Sequence, residues 1–264
     1  MSNDELPESF FEIDGDVVVP TVLCRGPWDP GSSHGGPVAA MVGRQVAVAD
    51  PDPELWTARI TLELIRPVPI APLRFDAVVV RPGGRVRIIA VSVSHAGQEV
   101  ARATALRIRR VPTDLAPSLP GDAASFGPPG EATPPPRLVG GGVGIIDGME
   151  VLAVGPAFSA TGPATCWFRM LRPLVAGEPA DPLATALMAA DFGNGISAAL
   201  PIESHLLINP DLTVYLHRAP VGEWIANSAQ TWLQPGQGSV AEATLWDSSG
   251  EIGRATQSLY IAAR

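Results

Sequence analysis

The chain has 264 residues, of which 46% are hydrophobic, and a formal net charge of −9 at pH 7 with an isoelectric point near 4.9. This acidic balance argues against a surface that binds nucleic acid, and the length suits two small domains or one large one. No stretch approaches the roughly 18 apolar residues of a membrane span, and the acidic N-terminus lacks the apolar segment of a signal peptide. We therefore expect no membrane association and a cytoplasmic location.

The two cysteines, Cys24 and Cys166, lie in separate apolar segments. Two cysteines provide neither a disulfide framework nor the ligand spacing of a metal site, and no two histidines are spaced as ligands of one metal. The sequence favours buried free thiols over a single disulfide, and it predicts no metal and no cofactor.

The first 111 residues alternate between strand-like and helix-like segments. An apolar run at 17–24 and a turn-rich loop precede the Ala- and Val-rich segment 37–49, which suits a buried helix with Ser32 or Ser33 as its N-cap. Four segments with the alternation of antiparallel strands follow it; they occupy 57–66, 73–81, 85–95 and 98–109.

Residues 112–142 differ in composition from the segments that precede and follow them. They are rich in Pro, Gly, Ala and Ser, with three consecutive prolines at 134–136, and they predict a linker between a unit at 1–111 and a unit at 143–264. In the second unit, a strand pair is followed by a helix-like stretch from about 183 and by four strands. The predicted strands lie at 145–154, 164–171, 205–217, 222–233, 238–247 and 251–262.

The two units repeat each other. Residues 61–66 (TLELIR) resemble 213–218 (TVYLHR), and 99–104 (EVARAT) resemble 251–256 (EIGRAT). The offset is 152 in both matches (213 − 61 and 251 − 99), which indicates two four-strand meanders of equal length. The helices match less well, because residues 34–36 (HGG) pair best with 193–195 (GNG) at an offset of 159.

One buried helix with an antiparallel sheet around it, twice over, resembles the hotdog fold. The details resemble the double-hotdog acyl-CoA thioesterases related to bacterial thioesterase II. The segments that carry this resemblance are 34–44, 60–75, 97–110, 187–200, 208–224 and 253–261. It implies an α+β protein, a tandem hotdog with two antiparallel sheets each wrapped around a central helix. It also implies hydrolysis of an acyl-CoA to a free fatty acid and CoA.

The resemblance implies three catalytic residues. The Asp, the Thr or Asn, and the Gln that activate water in this family match Asp191, Asn209 and Gln257. Asn209 departs from the Thr of thioesterase II, but its amide still supplies an acceptor and donors. Asp191 would act as the general base, and the two amides would orient the water.

The repeat independently points to the second unit. At the offset of 152, Gln257 corresponds to Ala105 and Asn209 to Thr57, so the second copy has an amide where the first has a methyl group. A buried amide needs hydrogen-bond partners; the alternative is a Gln257 that faces solvent. For Asp191 the alternative is a capping residue that closes on residues 193–195. We expect one working site per chain.

Glycines and one histidine complete the set of candidate site residues. Glycine permits close approach of a substrate, and backbone N–H groups near a helix start can stabilise an oxyanion. The predicted substrate-binding residues are therefore Gly35, Gly36, Gly193 and Gly195. His34 lies in the half that lacks the Asp and Gln partners, and we interpret it as a helix-start residue that packs or hydrogen-bonds locally.

Two alternative functions remain open at this level. An enoyl-CoA hydratase or dehydratase would need His34 close to a carboxylate, and a non-catalytic module would bind acyl-CoA without turnover. The pattern G-x-S-x-G occurs at 31–35 (GSSHG), but it lies in the turn-rich loop, and a serine nucleophile is not the expected chemistry. The expected partner is an acyl-CoA, and exposed strand edges leave room for a homo-oligomer.

Overall fold

The computed structural model describes residues 6–114, 127–133, 142–155 and 161–264. Most of the predicted linker at 112–142 therefore lies outside the described residues. Its described middle part packs on the second unit, where Thr133 and Ala153 exchange backbone hydrogen bonds of 3.1 and 2.6 Å. At least this part of the linker is held against a folded unit.

The first unit contains a hairpin, a helix and an antiparallel meander. The hairpin and the helix are β1 (Phe11–Asp14), β2 (Val17–Pro20) and α1 (Gly35–Ala49). The meander consists of β3 (Leu55–Leu64), β4 (Arg74–Arg81), β5 (Val86–His95) and β6 (Gln98–Arg109). Helix α1 is buried on nearly all sides over its first nine residues, because these residues are small or apolar and pack against both the sheet and a second helix.

The N-cap of α1 is His34, not Ser32 or Ser33 as predicted. The His34 side chain accepts the N–H of Gly36, whereas the hydroxyl of Ser32 donates to Asp29 and that of Ser33 to backbone carbonyls. The serines are thus used in the preceding loop, and the N-cap lies one to two residues later than expected, while the helix itself begins two residues before the predicted segment 37–49.

The second unit repeats this order with a divided helix and a divided strand. Its elements are β7 (Met149–Val154), β8 (Ala164–Met170), α2 (Pro182–Ala190), α3 (Gly193–Ile196), β9 (His205–Ile208), β10 (Asp211–Leu216), β11 (Ile225–Leu233), β12 (Ser239–Asp247) and β13 (Gly250–Ala263). The predicted match of 34–36 with 193–195 is wrong, because the first begins α1 whereas the second follows the end of α2. No helix within the described ranges is long and apolar enough to cross a membrane.

The two sheets of the predicted tandem hotdog join edge to edge. The strand order is β4-β5-β6-β3-β10-β13-β12-β11-β8-β7, and β9 pairs with the end of β13. The repeat extends to the strand register: Ala105 pairs with Ile89, and Gln257 pairs with Ala241 at the equivalent place. The fold class is confirmed as α+β, and one hydrophobic core runs through both units.

A β-bulge recurs at the same place in both units. In β3 the register against β6 shifts between Thr57 and Arg59. In the second unit the pairing with β13 shifts by one residue between β9 and β10, across Asn209 and Pro210. Proline has no N–H to donate, so here the strand is interrupted. A bulge redirects a side chain, and the side chain redirected in the second unit is that of Asn209.

Candidate active site

Asp191 lies where α2 ends. Its backbone remains near helical values, with φ −74° and ψ −10°, but the helix stops because side chains take over its last carbonyl groups. Asn227 of β11 donates to the carbonyl of Ala189 at 2.7 Å, and Gln257 of β13 donates to the carbonyl of Asp191 at 3.2 Å. Two strands therefore hold the helix end and fix the direction of the Asp191 side chain.

The carboxylate of Asp191 receives three side-chain contacts. Oδ1 accepts from Asn209 Nδ2 at 2.8 Å and from Gln257 Nε2 at 2.9 Å, while Oδ2 lies 2.8 Å from Nδ1 of His34. The Asp191 side chain is only 2% exposed. A buried carboxylate needs charge-assisted hydrogen bonds to replace its lost water, and these three groups supply them.

Gln257 faces the interior, so the alternative of a solvent-facing side chain is wrong. It is 1% exposed, and its Oε1 accepts the backbone N–H of Asn194 at 3.2 Å. A Cβ at Gly193 would lie 3.0 Å from that Oε1, so the glycine makes room for the amide. The backbone N–H of Asn194, which a capping Asp191 would bind, is therefore bound by Gln257 instead. The alternative in which Asp191 caps residues 193–195 is wrong.

His34 is the site residue whose neighbours the sequence did not reveal. Its ring stacks on Phe192 with centroids 4.7 Å apart, and its side chain is 13% exposed, more than that of Asp191. It reaches Asp191 because α1 and α2 pack antiparallel, which brings the start of α1 to the end of α2. The expected local role is also present, as the N-cap contact to Gly36. In the sequence, the one feature that could have pointed to His34 as a site residue is its position directly before a predicted helix that starts with two glycines.

The predicted glycines differ in their surroundings. A Cβ at Gly35 would lie 2.7 Å from Asp191 Oδ2, and a Cβ at Gly36 would lie 3.1 Å from the carbonyl of Met188. Both glycines thus allow the start of α1 to approach Asp191 closely, and the positive end of that helix favours the carboxylate. Gly193 contacts Gln257, whereas no atom lies within 4 Å of a Cβ at Gly195. Three of the predicted glycines therefore lie against the Asp191 cluster, namely Gly35, Gly36 and Gly193, whereas Gly195 makes no such contact.

The opposite ends of the same two helices carry a different pair. Arg44 of α1 forms a forked ion pair with Glu178, which precedes α2. This hydrogen bonding from Arg44 lowers the pKa of Glu178.

The first unit has a fully buried Ala105 in place of Gln257. The site is therefore asymmetric, as the repeat predicts.

In the Asp191 cluster, Asp191 and Gln257 are buried, whereas His34 and Asn209 are partly exposed. Two concavities of about 600 and 410 Å³ lie elsewhere, one on the sheet of the first unit and one beside Trp56 and Arg218, and neither is lined by Asp191, Asn209 or Gln257. Within the described residues, no group of three or more His, Cys, Asp or Glu side chains could hold a metal ion. The chemistry open to this cluster is proton transfer and hydrogen bonding.

Two models of known protein families match most of the chain. Residues 24–108 match the acyl-CoA thioesterase N-terminal domain, and residues 120–261 match the acyl-CoA thioesterase C-terminal domain. The predicted family is thereby confirmed. No curated protein matches the sequence.

Several solved structures share the fold. A putative thioesterase from Novosphingobium aromaticivorans aligns with a TM-score of 0.74 at 19% identity, over 95% of this chain and 97% of that one. A putative thioesterase II from Thermobifida fusca aligns with a TM-score of 0.76 at 14% identity, over 99% and 97%. The acyl-CoA thioesterase II TesB2 from Mycobacterium marinum aligns with a TM-score of 0.67 at 18% identity, over 100% and 97%. At these identities the likeness establishes the fold.

Proposed function

Because this chain belongs to the acyl-CoA thioesterase family, we propose that it hydrolyses acyl-CoA to a free fatty acid and CoA, with Asp191 as the general base. The observation that carries this proposal is the convergence of Asn209 and Gln257 on one oxygen of Asp191, at 2.8 and 2.9 Å. The three residues come from three separate elements, and all of them belong to the second unit.

The contacts refine the role of the two amides. Their N–H groups are directed at Asp191 Oδ1, so in the proposed reaction they orient the water indirectly, by fixing the carboxylate. The carboxylate takes a proton from the water as its oxygen attacks the thioester carbonyl. The carbonyl oxygen gains charge in this step, and the backbone N–H groups at the start of α1, near Gly35, are its proposed donors.

The test is CoA release from a panel of acyl-CoAs by wild type, Asp191→Asn and Gln257→Ala. We expect kcat to fall by about 100-fold or more in Asp191→Asn, because loss of a general base costs roughly 10²–10⁴-fold. Asp76→Asn and Gln98→Ala change the same residue types at exposed strand positions and should retain wild-type activity. Unchanged activity in both site variants would overturn the assignment.

One contact favours a second candidate function. An enoyl-CoA hydratase needs a histidine close to a carboxylate, and His34 Nδ1 lies 2.8 Å from Asp191 Oδ2. Incubation with crotonyl-CoA separates the two reactions, because hydration consumes the double bond while the thioester persists. A non-catalytic module would instead bind a non-hydrolysable acyl-CoA in calorimetry and leave both substrates intact.

A further inference from the structure

His34 differs in kind from the other two groups that contact Asp191. The amides of Asn209 and Gln257 hold the carboxylate but do not exchange protons near neutral pH, whereas an imidazole does. Nδ1 accepts the N–H of Gly36 while the ring is neutral, and it can donate to Oδ2, 2.8 Å away, once it carries a proton. His34 is therefore the one partner of Asp191 that can supply a proton to the reaction.

The surroundings of the ring fix its orientation. Nδ1 faces Asp191 and the N–H of Gly36, while one face of the ring stacks on Phe192 at 4.7 Å. Among the described residues, Asp191 is the one titratable group against the ring, and Nε2 has no protein partner. The ring is also more exposed than the carboxylate, 13% against 2%. The ring thus forms the more accessible side of the pair.

We propose that His34 is a catalytic residue that passes a proton to the departing sulfur; this rests on the proposed function. In the reactive form the ring carries a proton on each nitrogen, and Nδ1–H donates to Oδ2 in place of accepting from Gly36. The water's proton moves to Asp191 as the O–C bond forms, and the Nε2 proton moves to sulfur as the C–S bond breaks. The proton left on Asp191 returns to the ring through solvent. One proton enters from water and one leaves on CoA, so the step balances.

The role predicts a dependence on pH. The relay needs a proton on Nε2 while Nδ1 is bound to Asp191, whereas a ring that served only to cap α1 would leave the pH profile of kcat unchanged. A changed pH profile in a His34 variant therefore distinguishes a catalytic role from a structural one.

The first test is His34→Asn, because asparagine can still cap the helix but cannot relay a proton. We expect kcat to fall by about 10- to 100-fold, KM to change little, and the pH profile of kcat to differ from that of wild type. His95→Asn is the matched control: His95 ends β5 and contacts the carbonyl of Pro72, and its loss should leave the profile unchanged.

The second test is His34→Gly, since glycine is tolerated at an N-cap. Added imidazole should restore part of the lost kcat, which a purely structural defect would not allow. If wild type releases no CoA from any acyl-CoA, the proposed function and the relay both fail. If wild type and Asp191→Asn behave as proposed but His34→Asn keeps the wild-type kcat and pH profile, the relay alone is overturned.

Discussion

Thr61 of β3 and Thr213 of β10 pair directly across the junction between the two units, with their hydroxyl oxygens 3.3 Å apart. The two residues are also equivalent in the repeat, 152 positions apart. A residue that pairs with its own repeat lies on the pseudo-two-fold axis. The fused units therefore meet as the two copies of an isologous dimer would.

Within the second unit, the pairing of β10 with β13 depends on a glycine that the first unit does not need. A Cβ at Gly253 would overlap the carbonyl oxygen of Tyr215 and lie 2.9 Å from Cα of Leu216, whereas the equivalent Ala101 pairs normally with Leu64. We expect Gly253→Ala to lower the free energy of unfolding by about 1–3 kcal/mol, because the close approach of β10 must be relieved.

Denaturant unfolding followed by circular dichroism measures this effect. Gly238→Ala is the control, since no atom lies within 4 Å of a Cβ at that position. Equal stability of the two variants would show that β10 and β13 can separate without cost.

Gly35→Ala should impair activity more than stability. The new Cβ would lie 2.7 Å from Oδ2 of Asp191, so the carboxylate must move away from His34 or from its amide partners. Misplacement of a catalytic group by about 1 Å can cost roughly 100-fold, and we expect kcat to fall by about 10-fold or more with a folded protein. Kinetics beside Gly84→Ala, where the space is open, test this; equal kcat values would contradict it.

The two thiols should be unreactive in the folded protein. Cys24 and Cys166 are free and buried, as predicted. Burial raises the pKa of Cys166 to about 12 and that of Cys24 well above its usual value. Since the thiolate is the reactive form, a thiol reagent at pH 8 should modify neither residue until the protein is unfolded. The Cys166→Ala variant should show the same protection for Cys24, and rapid reaction of the native protein would contradict the predicted burial.

The ion pair of Arg44 and Glu178 should add stability only above acidic pH. The pKa of Glu178 is lowered, first by its hydrogen bonds from Arg44 and then by the charge of Arg44. The contribution is therefore present above the ordinary pKa of a glutamate and disappears as the pH falls through the lowered value. Because the Glu178 side chain is 38% exposed, we expect about 0.2–1 kcal/mol.

Unfolding of Glu178→Gln at neutral pH and at an acidic pH well below the ordinary pKa of a glutamate measures this difference. The variant should be less stable than wild type at neutral pH and equal to it in acid. The exposed Glu203→Gln is the control, and a deficit that persists in acid would assign the effect to packing.

Much of the architecture is predictable from the sequence. The strands at 98–109 and 164–171 occur within one residue of their predicted bounds, because alternation is a local property of the chain. The equivalence of strand register between the two units follows from the repeat, since a duplicated meander repeats its pairings. The burial of Gln257 could not be read from alternation, which does not tell the inner face from the outer.

Two boundaries required the tertiary structure. The predicted helix from about 183 ends at Ala190 because Asn227 and Gln257, distant in sequence, bind its last carbonyl groups. The predicted strand 205–217 is interrupted at Asn209 and Pro210, where pairing with β13 shifts by one residue. Both interruptions lie at the candidate site, and both depend on groups from other elements.

The sequence by itself determined the duplication and the family, and it pointed to Asp191, Asn209 and Gln257 as the candidate residues, because motifs and repeats are written along the chain. Only the tertiary structure decided that the first unit also contributes, through His34. That contact depends on the antiparallel packing of α1 and α2, which brings the positive end of one helix to the last residue of the other. No local pattern encodes which helix ends meet.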